Sequence, residues 1–289
     1  MSTAKHIHTE QTVSPTEVRI GTSPSLEALT AVNQTLFNPV YARALESMRR
    51  DGIVADPFAL RIVRELSYNC DKFANQRYAH IGSAVRTRIF DRICADFLNT
   101  NPDGVIVVLG CGLDARPYRM DNGRAAWLSI DLPDVITLRE HFFTPDERRR
   151  HLACSVLDES WFDAIPEDSQ VLALAEGLSM YLPGDGLHRL VTAMAGRFPG
   201  SQLALESLSH GMVAKSHTVD MNGCGVAYTW GMDSGKELEA WSPGIRLIDE
   251  FPLMHEERRR WGPFALLSWL PVARKISKIS LFRFAEKED

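Results

Sequence analysis

At 289 residues, with 45% hydrophobic and 24% charged side chains, the chain has the composition of a soluble globular protein with a full-sized core, either one large α/β domain or one with an appended cap. Its formal net charge of −5 excludes a general attraction for nucleic acid or an anionic membrane, so small molecules or proteins are the expected partners. The longest apolar runs fall short of the ~20 residues that span a bilayer, and the opening MSTAKHIHTEQTVSPTEVRIGTSPS has no secretory pattern, so a cytoplasmic location is expected.

Residues 1–24 are polar and lack an apolar period, which predicts a flexible tail. From Leu26 the pattern becomes helical: Leu29, Val32, Leu36, Val40, Ala44 and Met48 recur at three- and four-residue intervals, with a break before Pro39. PFALRIVRELS gives a second helix. Val85, Ile89, Ile93 and Phe97 mark a third over Ile81–Leu98.

The first strand is Val105–Leu109, a continuous apolar run between NPDG and GCG, as suits a strand buried on both faces. Ala125–Asp131, His151–Val156, Gln170–Gly177 and Gln202–Leu208 follow with helices or loops between them, which argues for a parallel sheet covered on both sides. The segment His210–Trp241 has no clear period and is a candidate lid, and its Met212, Met221, Met232, Tyr228 and Trp230 suit an adaptable apolar pocket. GIRLIDEFPLM then reads as a strand and KISLFRFAE as an edge strand. The runs Arg148–Arg150 and Arg258–Arg260 read as solvated helix faces. Cys70, Cys94, Cys111, Cys154 and Cys224 are odd in number and lack any CxxC or Cys/His spacing, so they are expected to be reduced thiols, and no metal is expected.

Chemistry concentrates after the first strand. Gly110 and Gly112 sit where the backbone must turn sharply and let a ligand approach closely. Asp131 ends the next strand, where a carboxylate can accept from both hydroxyls of an adenosine ribose. Gly110-x-Gly112-x-x-Ala115 also fits a dinucleotide fingerprint, so the pair Gly110/Asp131 points to an adenosine ligand without choosing between a nicotinamide cofactor and S-adenosylmethionine.

VVLGCGLDARPYRM, WLSIDLPDVITLRE and AEGLSMYLP, with LFNPVYARALESMRRDGIVADPFALRIV and YAHIGSAVRTRIFDRIC before them, resemble the leucine carboxyl methyltransferase family, in particular the bacterial branch similar to the tetracenomycin polyketide carboxyl methyltransferase. The resemblance runs from about residue 26 to 286. It implies an α/β class I methyltransferase (Rossmann-like) fold, with a seven-stranded mostly parallel sheet, a helical cap over 25–100 and a lid insertion over 209–242, all in one domain from residue 25 to 289. It also implies S-adenosylmethionine as cofactor, and a small-molecule acceptor, an acid by family precedent, in an enzyme that can form homo-oligomers.

Carried over by position, the resemblance places Arg86 against a carboxylate of cofactor or substrate, Gly110, Cys111 and Gly112 under the methionine moiety, and Asp131 with Leu132 at the ribose. Ser155 and Val156 fall at the adenine, where the family often has Asp-Leu, so Ser155 or the nearby Asp158 would take the exocyclic amine. Glu176 and Tyr181 complete the family motif, and Arg86, Glu176 and Tyr181 are the expected catalytic residues. A carboxylate acceptor needs no base, whereas a phenol would, with His210, His217 or Glu176 as candidates. The alternatives are a protein-carboxyl substrate, an NAD(P)-dependent oxidoreductase and a cofactor-binding protein without catalysis. Arg116-Pro117 straight after the glycines and the long helical cap before the first strand stand against the oxidoreductase.

Overall fold

A computed structural model describes residues 34–66, 76–220 and 224–286; the tail over 1–24, the start of the first helix, Cys70 and Met221 lie outside them. Helix α1 (Phe37–Ser47) starts after a turn at Thr35 and Leu36, so the expected break falls just before Pro39. Proline is tolerated there because the first turn has no intrahelical use for its missing N–H. Helix α2 (Pro57–Glu65) starts at Asp56, whose carboxylate accepts from the Ala59 N–H at 3.0 Å, with Pro57 at the first helical position. Asp56 also takes the Arg43 Nε of α1 at 2.8 Å, with both side chains buried. One carboxylate therefore caps α2 and neutralises α1.

Helix α3 (Arg77–Thr100) turns Ile81, Val85, Ile89, Ile93 and Phe97 onto one face of the sheet, where they meet Ile106 and Val108 of β1 (Val105–Leu109), Trp127 of β2 (Ala126–Asp131) and Leu172 and Leu174 of β4 (Val171–Ala175). Each such fully buried aliphatic contributes about 1.5–3 kcal/mol. The alternate residues Val105, Val107 and Leu109 point the other way, into a second core with Leu187, Leu190, Val191 and Met194 of α4 (Gly184–Arg197) and with Trp161 and Phe162. Burial on both faces is why β1 reads as unbroken apolar sequence.

The seven strands lie in the order β3-β2-β1-β4-β5-β7-β6, completed by β3 (Arg149–Ala153), β5 (Gln202–Leu208), β6 (Ile245–Pro252) and β7 (Ser277–Phe284). The first five are mutually parallel and β7 is antiparallel to both β5 and β6. From β1 the chain builds outward through β2 and β3, then returns to build on the other side through β4 and β5. Adjacent crossovers thus diverge at the carboxyl ends of β1 and β4 and leave a crevice there. Among the described residues no helix is long and apolar enough to cross a membrane.

Two expectations are corrected. The C-terminal strand is interior: β7 pairs with β5 from Ser277 to Arg283 and with β6 on its other side, so β6 is the edge. Alternation along KISLFRF reflects faces of unequal burial, which an interior strand shares with an edge strand. Arg148–Arg150 lead into strand β3 rather than lying on a helix: Arg148 pairs with Asp121 at 2.7 Å, and Arg149 lies over the Tyr118 ring, its guanidinium carbon 4.8 Å from the centroid. An edge strand has room for such residues because one side of it is open. Arg258–Arg260 lie on a 3-10 stretch, with Arg260 paired to the buried Glu46.

Replacing Asp56 with Ala removes the cap and leaves Arg43 buried without its partner, so the Asp56→Ala variant should lose about 3–5 kcal/mol in urea unfolding. Asp56→Asn keeps a capping acceptor and should lose less.

Candidate active site

At the carboxyl ends of β1, β4 and β5 lies a cavity of about 710 Å³, within the ~300–1,000 Å³ usual for small-molecule sites. Its floor begins at the glycine turn. Gly110 has φ +63°, and a β-carbon on it would come within 2.8 Å of Leu178 Cδ1. Gly112, at φ +45°, donates its N–H to Asp131 Oδ2 at 2.8 Å, while the Leu132 N–H donates to Oδ1 at 2.8 Å. Burial holds the Asp131 carboxyl above its ordinary pKa, and these two amides oppose that rise. A carboxylate has about four acceptor sites, so two such bonds leave capacity for a ligand's hydroxyls. Cys111 lines the same wall as a buried thiol whose pKa burial raises.

Leu132, Ser155 and Val156 also line the cavity. Leu132 exposes a branched side chain beside Asp131. The Ser155 hydroxyl accepts from the Leu157 N–H at 3.2 Å, which leaves its proton available. Asp158 is not among the lining residues: its carboxylate accepts from the Ser160 N–H at 3.0 Å and caps the 3-10 turn Glu159–Ala164. The chain has turned away by then, so sequence proximity to Ser155 does not become spatial proximity to the cavity.

Opposite Asp131 the wall is ionic. Arg86, on α3, donates Nε to Glu176 Oε1 at 3.0 Å and Nη1 to Glu206 Oε2 at 3.1 Å. Its Nη2 donates to none of the described residues. Glu176, just beyond β4, takes Arg116 Nη2 on its second oxygen at 2.7 Å. Arg116 is fully buried and also holds Asp91, at 2.8 Å, and Asp114. Asp91 in turn binds Arg119 at 2.8 Å. The result is a continuous chain of opposite charges: Arg119, Asp91, Arg116, Glu176, Arg86, Glu206. Burial is offset by the facing arginines, which hold Asp91 and Asp114 below the ordinary carboxylate range. Glu206 is displaced upward by burial in spite of Arg86, with neighbouring Glu176 adding to the rise.

Gly177 fits this wall at close quarters. It has φ +64°, its N–H donates to Glu206 Oε2 at 2.7 Å, and a β-carbon would lie 3.1 Å from Arg86 Nη2.

The remaining boundary is apolar and aromatic. Tyr181, in the 3-10 turn Ser179–Tyr181, meets Tyr228 edge to face with centroids 5.4 Å apart. Burial, and next the proximity of Tyr181, raise the Tyr228 hydroxyl pKa. The segment after β5 is more regular than its sequence suggests: α5 (His210–Ser216) is capped by Ser209, and the Ser216 hydroxyl accepts from the Tyr228 N–H at 2.8 Å. The Thr229 N–H also donates to the Met180 carbonyl at 2.8 Å, pinning the segment beside β4. Met212 and Tyr228 line the cavity with Met180, Leu208, Leu253 and Trp261. Met232 is buried in the core instead, and Trp230 packs there against Trp241.

Sequence reading therefore located Arg86, Gly110, Cys111, Gly112, Asp131, Leu132, Ser155, Val156, Glu176 and Tyr181 around one cavity, but missed Glu206 and Arg116. A signal for Glu206 exists: it is an acid inside the otherwise apolar QLALESL, and a buried carboxylate requires a partner. Of the candidate bases, His210 is exposed and paired with Glu237 at 2.9 Å, and His217 is not among the lining residues.

A sheet with this strand order, a positive-φ glycine turn after β1 and an acid ending β2 define an S-adenosylmethionine-dependent methyltransferase of the class I α/β type, and known proteins agree. Residues 37–195, more than half the chain, match the family model for leucine carboxyl methyltransferase. The chain is 28% identical over 228 residues to the tetracenomycin polyketide synthesis O-methyltransferase TcmP of Streptomyces glaucescens, covering 78% of this chain and 84% of that one. It is likewise 28% identical over 255 residues to the S-adenosyl-L-methionine-dependent methyltransferase dpfgK of Gibberella zeae, covering 80% and 85%. A solved Thermobifida fusca protein assigned as a methyltransferase shares the fold, with TM-score 0.52, 18% identity, and 90% of this chain and 100% of that one aligned. This protein belongs to the leucine carboxyl methyltransferase family.

Gly177→Ala places a β-carbon against Arg86 in a backbone region that L-residues avoid. It should cost about 1–2 kcal/mol of stability and weaken binding of S-adenosylhomocysteine, as measured by denaturant unfolding and calorimetry.

Proposed function

We propose that this enzyme methylates a carboxylate oxygen of an apolar small molecule. The observation that carries this reading is that every described carboxylate in the acceptor half of the cavity is already engaged. Glu176 is held by Arg86 and Arg116, and Glu206 by Arg86 and the Gly177 amide. Neither is free to remove a proton, and the described histidines are not among the lining residues. An acceptor must therefore arrive ionised, as a carboxylic acid of pKa near 4 does at neutral pH and a phenol of pKa near 10 does not. The apolar lining from Met180, Leu208, Met212, Leu253 and Trp261 fits a hydrophobic body behind that carboxylate. The name of the Streptomyces glaucescens relative, an O-methyltransferase of polyketide synthesis, fits an acceptor from secondary metabolism.

The cofactor fits the residues present. The glycine turn offers a surface without side chains, and Asp131 offers carboxylate acceptors for ribose hydroxyls. S-adenosylmethionine supplies, when bound, an electrophilic methyl group on a sulfonium. Gly110, Cys111, Gly112, Asp131 and Leu132 would hold its adenosyl and methionine portions, with Ser155 and Val156 on the adenine side. Arg86 turns its remaining Nη2 protons toward a carboxylate, and Glu176, Glu206 and Arg116 fix the guanidinium so that little reorganisation is needed. Tyr181 donates a hydrogen bond to the acceptor. The walls exclude water and orient the acceptor oxygen, and proximity of this kind can supply several kcal/mol.

Two outcomes test this reading. Incubation with S-adenosylmethionine and a panel of apolar acids and phenols should yield methyl esters, identified by mass and by their hydrolysis in mild base; base-stable aryl ethers would contradict it. Asp131→Asn replaces charge-assisted hydrogen bonds worth about 1.5–3 kcal/mol and should weaken S-adenosylhomocysteine binding by about 10- to 100-fold. Protonation turns an acceptor into a donor, so wild-type affinity should fall as pH drops through the raised Asp131 pKa, and Asp131→Asn should lack that limb.

A further inference from the structure

The segment from Arg258 to Lys275 does not behave like a solvated protein surface. Phe264, Leu266, Trp269, Leu270 and Val272 are all exposed, with Leu266 at 76%, Val272 at 75% and Trp269 at 70%. Single exposed hydrophobics are ordinary, but five within nine positions of one segment form a patch that marks an interaction site. None of the five lines the catalytic cavity.

The charge around them is one-signed. No Asp or Glu occurs between Arg258 and Ala285, in a chain whose net charge is −5. The acids nearest the segment are occupied: Glu256 pairs with Arg92, Glu257 with Arg88, Glu46 with Arg260 and Asp233 with Lys275. Among the described residues Arg259 and Arg274 are exposed without an acidic partner, and Arg258 lies over the Trp269 ring, 4.2 Å from its centroid. Exposed Trp and Leu side chains on one segment with arginines reproduce the chemistry of a peripheral membrane contact, in which apolar groups enter the acyl boundary and guanidinium groups meet anionic headgroups.

We propose that this face docks on an anionic lipid surface. A second copy of the chain is a poorer fit, because a two-fold contact through the same patch would set arginine against arginine. The face also adjoins the cavity: Phe264 packs on Tyr78 with ring centroids 4.7 Å apart, and Tyr78 and Trp261 both line the cavity. Docking would therefore bring the apolar acceptor compartment next to the lipid phase, from which a lipophilic acid can enter.

The test is sedimentation of the full-length protein with vesicles of phosphatidylcholine alone or mixed with phosphatidylglycerol, a readout independent of methyl transfer. Binding should require phosphatidylglycerol and weaken with salt. The double variants Leu266→Ser/Trp269→Ser and Arg259→Glu/Arg274→Glu should each lower partitioning at least about tenfold with unchanged circular dichroism. Absence of binding by the wild type would overturn the proposal, as would binding that ignores lipid charge and both variants. A dimer in analytical ultracentrifugation that is lost in Leu266→Ser/Trp269→Ser, with no vesicle binding, would also overturn it and assign the face to a second copy.

Discussion

A guanidinium with no access to water organises this enzyme. Arg116 leaves the turn after β1, passes into the protein and meets Asp91 of α3, Asp114 of its own turn and Glu176 beyond β4. Removing any one of these carboxylates leaves a buried charge undercompensated, which typically costs about 3–5 kcal/mol. The glycine turn, the long helix and the end of β4 are thereby locked to one another. Through Glu176 the same network fixes Arg86, and through Arg86 it reaches Glu206 on β5. The cavity is shaped by this chain of charges as much as by the sheet beneath it.

That arrangement divides the labour of the site. On the β1–β2 side the protein offers backbone, a carboxylate held by two amides and an exposed leucine, which suits a nucleoside. On the β4–β5 side it offers acids already bound to arginines, then an apolar wall ending at Tyr181 and Tyr228. Fixed dipoles and charges orient reactants without reorganising during the reaction, and this is the contribution a protein can make when the acceptor brings its own negative charge.

Local features of this plan were legible in the sequence. β1 was readable to its ends because burial on both faces leaves no polar position in VIVVL, and the glycines and Asp131 follow from the turn and strand end that a parallel sheet requires. What escaped was non-local. Arg116 meets Glu176 sixty residues further on, and Arg86 meets Glu206 across 120 residues, so no spacing rule links them. The place of β7 inside the sheet depends on how the chain returns after β5, which its own alternation does not encode. Asp158 is near Ser155 in sequence and separated from the cavity by a turn that it caps.

In the proposed reaction the acceptor arrives ionised and no residue of the site removes a proton from it. The pH dependence of kcat/KM with a carboxylic acid acceptor tests this most directly, since it reports the ionisations of free enzyme and substrate. The rate should be level from about pH 6 to 8 and decline only in acid, as the acceptor and Asp131 take up protons. A fall in rate on the acid side with a midpoint near 7, abolished by replacing a single histidine or Glu176, would identify a general base and contradict it.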